Sequence, residues 1–408
     1  MSSPPPLRKR SFIVTLGLLT GMAAFTVDIS LPAIPAMVDA LTTSLSRGQQ
    51  IVGIFMAGMA FGQIPAGLIS DRAGRLPVLY VGMILFAIGA TGAAFANDIS
   101  LMLAARFVQG FGAAAAIVLS RAIVRDIASG KEAAKLMALM TMIFTAAPVI
   151  APSVGALLVA QWGWRAPFVI IAAGGYLMLV AIRSNIPETH TPVLGQHPVR
   201  QLQSSVAEFF SHRQSVFGLL LIILPPAGFM SMIALSAALV VEIYGYTVTQ
   251  FGLIFATAGV SILVGSAINR LLVTRLDGLQ LIALGVALFG ISGVQLLIIA
   301  WLNQAPFIWL WSCMCLFMLT VAIVMPNAMV LALDPMPKIA GVASSIIGTL
   351  QNIVGASGAL LGAVIYDGSV RNSVIIMGVM GTSVVLVFVA RPLICPEIVH
   401  HPDELARD

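Results

Sequence analysis

The feature that most constrains this chain is the recurrence of apolar runs about as long as a bilayer is thick. A helix crossing the hydrocarbon core needs roughly 20 predominantly apolar residues, and such runs follow one another from Ser11 to Ala390. Membrane-spanning strands would alternate polar and apolar positions. Runs such as Val78–Ala96 show no alternation, so the spans are helices. Twelve are expected, near residues 12–34, 49–70, 78–96, 100–122, 133–160, 166–186, 215–243, 250–271, 279–302, 307–332, 340–366 and 372–391. Only 9% of the 408 residues are charged, against about 25% in a soluble domain. That is too little charge for an ordinary water-facing surface, and the short loops leave little chain for a soluble catalytic domain.

The net charge of +5 is a topology signal rather than a nucleic-acid footprint. With the N-terminus inside, 17 of the 21 Lys and Arg residues fall in cytoplasmic loops or helix ends; Arg47, Arg165 and Arg371 fall outside, and Arg106 lies within a span. This is the positive-inside asymmetry. It places both termini and the central segment in the cytoplasm. Arg8-Lys9-Arg10 before an apolar run resembles a signal sequence, but the run is long and carries polar residues of its own, so it is expected to remain as the first span. Cys313 and Cys315 point to different faces of one span and Cys395 lies in the tail, a pattern that suits neither a disulfide framework nor a metal cage.

The segment 187–214 carries Pro187, Pro192 and Pro198 and divides the spans six and six. Val199, Leu202, Val206 and Phe209/Phe210 recur in it at helical spacing, as in a short amphipathic helix lying on lipid. The expected organisation is a first six-helix bundle over 1–186, the linker 187–214, and a second bundle over 215–408 with its tail. A shift of 203 residues supports it. Gly155-Ala-Leu-Leu-Val-Ala160 falls on Gly358-Ala-Leu-Leu-Gly-Ala363, and Gly62, Arg72, Gly82 and Phe86 fall on Gly265, Arg275, Gly285 and Phe289. Parallel halves with substrate held between them are a transporter architecture.

Few residues inside the spans carry chemistry. Asp28 is the only acidic residue placed well within the membrane, where a charged side chain costs at least about 2.5 kcal/mol. Arg106 is its basic counterpart. Counted from the same boundary at about 1.5 Å per residue, the two lie at similar depth, roughly 10 and 9 Å in, so an ion pair between their helices is expected. Pro148 and Pro152 remove two backbone donors four residues apart and bend their helix, and Gly155 then allows a neighbouring helix to come close. Gly17/Gly21, Gly58/Gly62 and Gly358/Gly362 are small-xxx-small contact pairs. Glu242 closes the seventh span, where a solvated helix end competes with a role in proton transfer.

The loop between the second and third spans reads Gly67-Leu-Ile-Ser-Asp71-Arg72-Ala-Gly74-Arg75. Topology accounts for the arginines but not for Asp71. A carboxylate at a helix end can pair with Arg or face the positive N-terminus of another helix, for example near Gly341, and either contact can latch one conformation.

This loop resembles the Gly-x-Leu-x-Asp-Arg-x-Gly-Arg-Arg/Lys signature of the major facilitator superfamily, with departures at Ile69 and Leu76. Arg106-Phe-Val-Gln109-Gly110-Phe-Gly112 is similar to that family's buried-arginine motif. Ala147-Pro148-Val-Ile-Ala-Pro152-Ser-Val-Gly155-Ala156 resembles its exporter motif, with Ala156 in place of the second glycine, and Trp164-Arg165-Ala-Pro-Phe168 follows as in many relatives. Asp28-Ile-Ser-Leu-Pro32-Ala-Ile-Pro35 and Pro326-Asn327 are similar to stretches of the Bcr/CflA drug-resistance group.

The resemblance implies an all-α membrane protein with twelve transmembrane helices in two pseudo-symmetric six-helix bundles, acting as a drug:proton antiporter in the bacterial inner membrane. It implies proton coupling at Asp28 and Arg106. It also implies an inner gate of Gly67, Asp71, Arg72, Gly74 and Arg75, and an antiporter motif of Pro148, Pro152 and Gly155. Ser30, Gln109, Met230, Asn327, Gln351 and Asn352 are the candidate cavity residues.

GxxxxGK[ST], HExxH and GxSxG signatures do not occur, so ATP-driven transport and hydrolase chemistry are not expected, nor is any cofactor or metal. The expected partners are a small-molecule substrate, protons and lipid, with no nucleic acid and with the monomer as the working unit. A proton-coupled uptake symporter or facilitator is the rival within transport; an intramembrane enzyme or assembly factor is the rival outside it.

Overall fold

The computed structural model describes residues 10–128, 130–190, 206–336 and 339–395. Among the described residues the secondary structure is helical throughout. The first run, Arg10–Ser30 (α1), gives way to a 3-10 turn over Leu31–Ala33 and resumes as Ile34–Ala40 (α2). Pro32 and Pro35 account for the break, since neither offers an amide proton to the preceding turn. There follow α3 (Leu45–Ala73), α4 (Arg75–Ala94), α5 (Ile99–Ile127), α6 (Gly130–Trp162) and α7 (Ala166–Asn185).

After the central segment come α8 (Arg213–Ala237), which runs on as a π-helical stretch Ala238–Ile243, then α9 (Val248–Leu272), α10 (Gly278–Leu302), α11 (Phe307–Leu333), α12 (Ala340–Ile365), α13 (Val370–Val389) and the short α14 (Arg391–Ile394). Among the described residues, eleven stretches are long and apolar enough to cross a membrane, and α6 adds to them a shorter apolar stretch, Ala146–Trp162. The helix limits fall within a few residues of the expected ones, on either side. Of the expected amphipathic helix, Val199 and Leu202 lie outside the described residues. Residues 206–211 are helical, with Phe209 buried and Phe210 exposed beside it.

Leu45 and Val248, and Arg75 and Gly278, each open a helix 203 positions apart. The repeated glycines make repeated contacts. A side chain at Gly62 would run into the Phe111 backbone of α5, and one at Gly265 into the Leu319 backbone of α11. Gly82 faces α5 as Gly285 faces α11, and Gly155 meets α1 as Gly358 meets α8. Small residues let helix backbones approach in lipid, where no hydrophobic force drives them together.

The chain forms two compact units. One comprises Met1–Gln196, Ile233–Gly259 and Ala359–Gly368. Within it, Ser46 Oγ donates to Ala363 O, Ser153 Oγ donates to Gly252 O at 3.1 Å, and Gly53 is covered by Leu360. The other comprises His197–Met232, Val260–Gly358 and Ser369–Asp408. Its core includes Phe217, Phe289, Phe317 and Met314.

Candidate functional site

Asp28 sits at the end of α1, one turn before the 3-10 break, and is 3% exposed. The adjoining Ser30 is buried and its hydroxyl donates to Val27 O at 2.7 Å, which occupies the donor of this candidate cavity residue within its own helix. The carbonyl of Ile29 fills the space a side chain at Gly155 would need. The proline-containing part of α6 therefore lies directly on the backbone next to Asp28. Gly252 and Gly259 of α9 cover the same proline-containing stretch of α6. A Cβ at Gly259 would stand 2.8 Å from the Pro148 carbonyl carbon, and one at Gly252 would stand 3.0 Å from Pro152 O. Sequence reading missed these two α9 glycines. Their spacing of seven is the signal that could have found them, since it puts both on one helix face.

Arg106 is fully buried, and its guanidinium takes partners other than Asp28. Arg106 Nη1 donates to Gln109 Oε1 at 2.8 Å and Nε donates to Ile51 O at 3.4 Å. Its guanidinium carbon stands 4.5 Å from the centre of the Phe55 ring and 5.9 Å from that of Phe168. The expected ion pair is thus replaced by an amide, a carbonyl and two aromatic faces. The physical reason is that equal depth fixes height along a helix but not rotation about it. The side chain turns toward α3 and α7. Arg106 Nη2 and Gln109 Nε2 remain buried donors without an acceptor among the described residues. Gly110 and Gly112 of the same motif serve packing: a side chain on either would strike the backbone of Phe55 or Gly82.

The turn between α3 and α4 is an ion cluster. Arg75 is buried, and its Nε donates to Asp126 Oδ2 of α5 at 2.9 Å. Its Nη1 donates to Ser70 Oγ at 2.8 Å and to the Asp71 carboxylate. Asp71 thus makes the pairing with arginine. Gly74 takes φ +94°, a conformation other residues seldom adopt, and so turns the chain from α3 into α4. Gly67 is loosely covered by Val118, and Arg72 is exposed.

Two acids here were missed in the sequence. Asp126 completes the cage around Arg75; the signal was a carboxylate at a helix end that otherwise carries Arg121 and Arg125. Glu188, just past α7, accepts from the Arg75 and Leu76 amides at 2.9 Å each and from the Thr189 and His190 amides at 3.0 and 3.1 Å. Burial pushes its carboxyl up, but these four N–H donors outweigh that and hold it below its ordinary value. Thr189 Oγ1 donates to Asp126 Oδ2 at 3.2 Å, and His190 Nε2 lies 3.2 Å from Asp71 O.

In the other unit, Asn327 Nδ2 donates to Asn269 Oδ1 and to Ile323 O, both at 2.7 Å. Asn269 is a polar partner the sequence did not single out. Met230 is half-buried on α8, and Gln351 and Asn352 are half-buried on α12. Glu242 is exposed, at the end of the π-helical stretch.

A family model described as Major Facilitator Superfamily matches residues 16–359. The chain is 30% identical over 387 residues to a bicyclomycin resistance protein homolog of Haemophilus influenzae, covering 92% of this chain and 94% of that one. It is 30% identical over 370 residues to the multidrug resistance protein MdtL of Salmonella paratyphi C, covering 90% and 91%. Among solved structures, a D-xylose–proton symporter aligns over 95% of this chain and 98% of its own with a TM-score of 0.75 at 20% identity. A bacterial homolog of the lysosomal transporter Spinster aligns over 98% and 100% with a TM-score of 0.76 at 14% identity. At those identities the likeness is one of fold.

Proposed function

Because the chain belongs to the Major Facilitator Superfamily, we propose that it is a proton-coupled antiporter that expels drugs or small amphipathic metabolites across the bacterial inner membrane. The observation that carries this reading is the burial of Asp28 next to Ile29, whose carbonyl meets the proline-containing segment of α6. A charged carboxylate at that depth costs at least about 2.5 kcal/mol, and binding a proton removes the cost. Release of the proton then requires a change in what surrounds Asp28, and α6 is placed to make that change. Arg106 and Gln109 supply unfilled donors in the same unit. The resistance proteins named above, similar over nine-tenths of the chain, support export and drugs as the cargo.

In this reading two six-helix halves, 1–186 and 215–408, joined by 187–214, rock about a central cavity to which Ser30, Met230, Asn327, Gln351 and Asn352 contribute. Asp71, Arg72 and Arg75, with Gly67 and Gly74, form the cytoplasmic gate. Both termini face the cytoplasm, from the 17-to-3 distribution of basic residues. The working unit is a monomer in lipid. Inverted, acid-loaded vesicles containing the protein test the reading with bicyclomycin and ethidium as probes. Addition of a transported probe should drive protons out of the lumen; protons entering together with the probe would make the protein a symporter.

A further inference from the structure

The two halves start matching helices in different ways. Asp277, 203 positions after Gly74, caps α10 with its own side chain, which accepts from the Gln280 amide at 2.8 Å while the Gln280 side chain accepts from the Asp277 amide. Helix α4 has no such cap: Gly74 stands at its N-cap with no side chain to offer. The first amides of a helix need acceptors, and here they find one 113 residues away along the chain. The Glu188 carboxylate takes Arg75 N on one oxygen and Leu76 N on the other. The absence of a side chain at position 74 is part of the fit, since a Cβ there would lie 2.7 Å from Glu188 Oε2. Thr189 and His190 add contacts to Asp126 and to the Asp71 carbonyl.

We propose that Glu188 is a positioning residue of the cytoplasmic gate. It is a cap carried by the central segment, which holds the Arg75 backbone so that the guanidinium stays between Asp71 and Asp126. The residues Glu188, Thr189 and His190 thereby belong to the gate rather than to a passive tether, and any displacement of the segment's start is felt by the Arg75 cluster. A helix capped by its own neighbour, as α10 is, carries no such link. The inference rests on the exporter reading above in assigning the cluster a gating role, but the cap itself is tested without it.

The test compares full-length wild type, Glu188→Ala, Glu188→Gln and the matched control Asp277→Ala. Hydrogen exchange in micelles reads the cap, and pH-gradient-driven ethidium and bicyclomycin accumulation in inverted vesicles reads the gate. In Glu188→Ala the amides of Arg75, Leu76 and Val78 should exchange at least tenfold faster with α5 unchanged. Accumulation rate should fall at least fivefold at unchanged KM. Glu188→Gln, which keeps one acceptor oxygen, should fall between.

Asp277→Ala should loosen the start of α10 to a similar extent yet export within twofold of wild type. Two residues inserted between Ile186 and Pro187 should reproduce Glu188→Ala, whereas the same insertion after His190 should be silent. Wild-type protection at Arg75, Leu76 and Val78 in Glu188→Ala overturns the cap. Looser amides with unchanged export, or an equal loss of export in Asp277→Ala, overturns the positioning role. If wild type moves neither probe, the exporter reading falls and with it the gating role, while the exchange data still decide the cap.

Discussion

The carbonyl of Ile29 occupies the place where a side chain on Gly155 would sit, so α6 touches α1 one residue beyond Asp28. The contact is backbone on backbone, and it cannot relax by rotating a side chain. Gly155→Ala must therefore push α1 and α6 apart at the position where proton binding is proposed. Overpacking of this kind costs about 1–3 kcal/mol. The expected outcome is a lower melting temperature together with a loss of pH-driven export at least tenfold larger than in Gly174→Ala, a position with open space around it. Equal export in the two variants would remove this contact from the coupling mechanism.

Asp28→Asn should abolish accumulation driven by a pH gradient while leaving drug binding in micelles within about threefold. Arg106→Ala should be damaging for a reason different from a broken ion pair: it strands the Gln109 amide and empties the space between Phe55 and Phe168. Truncating so large a buried side chain costs about 2–5 kcal/mol, so both melting temperature and export should fall. Arg106→Lys should recover stability better than transport, because an ammonium lacks the planar fork. Concentrative export by Asp28→Asn at wild-type rate would move the coupling site elsewhere, Glu242 being next to test.

Within the Arg75 cluster the two acids should rank in an order opposite to their prominence in the sequence. The Asp126 side chain is 17% exposed and that of Asp71 is 52% exposed. Exposed ion pairs are worth about 0–1 kcal/mol, and a shielded charge-assisted bond is worth more. Asp126→Asn should therefore lower melting temperature and export more than Asp71→Asn does. The reverse ranking would place the gate's strength in the α3–α4 turn itself.

Glu188 predicts a pH dependence of definite sign. Its folded carboxyl is held below the ordinary value of 4.5, so its contribution is fully present above that value and disappears as pH falls through the folded value. The melting-temperature advantage of wild type over Glu188→Gln should be flat from pH 7 to about 5 and shrink on further acidification. An advantage that grows in acid would contradict the assignment of the carboxylate as the acceptor.

Topology is open to a direct check. Cysteines introduced at His190 and at His197 should react with impermeant reagents only from the cytoplasmic side, and one at Arg165 or Arg371 only from the other. Labelling of position 190 from outside intact cells would invert the proposed orientation.

The sequence by itself determined the helices and their order. In lipid every backbone amide must be satisfied within its own segment, so length and hydropathy alone place α3 to α13 within a few residues of their observed limits. The 203-residue repeat and the glycines at Gly62, Gly82 and Gly155 were legible for a related reason, since close helix approach leaves a mark on residue size. Tertiary structure alone decided which polar groups meet. Arg106 and Asp28 share a depth, yet rotation of α5 about its axis gives Arg106 to Gln109, Phe55 and Phe168. Asp126 and Glu188 read as ordinary helix-end acids until packing brings one onto the Arg75 guanidinium and the other onto its amide. Hydrophobic periodicity is local and is written in consecutive residues, whereas a hydrogen bond spanning 113 positions depends on how several helices rotate against one another.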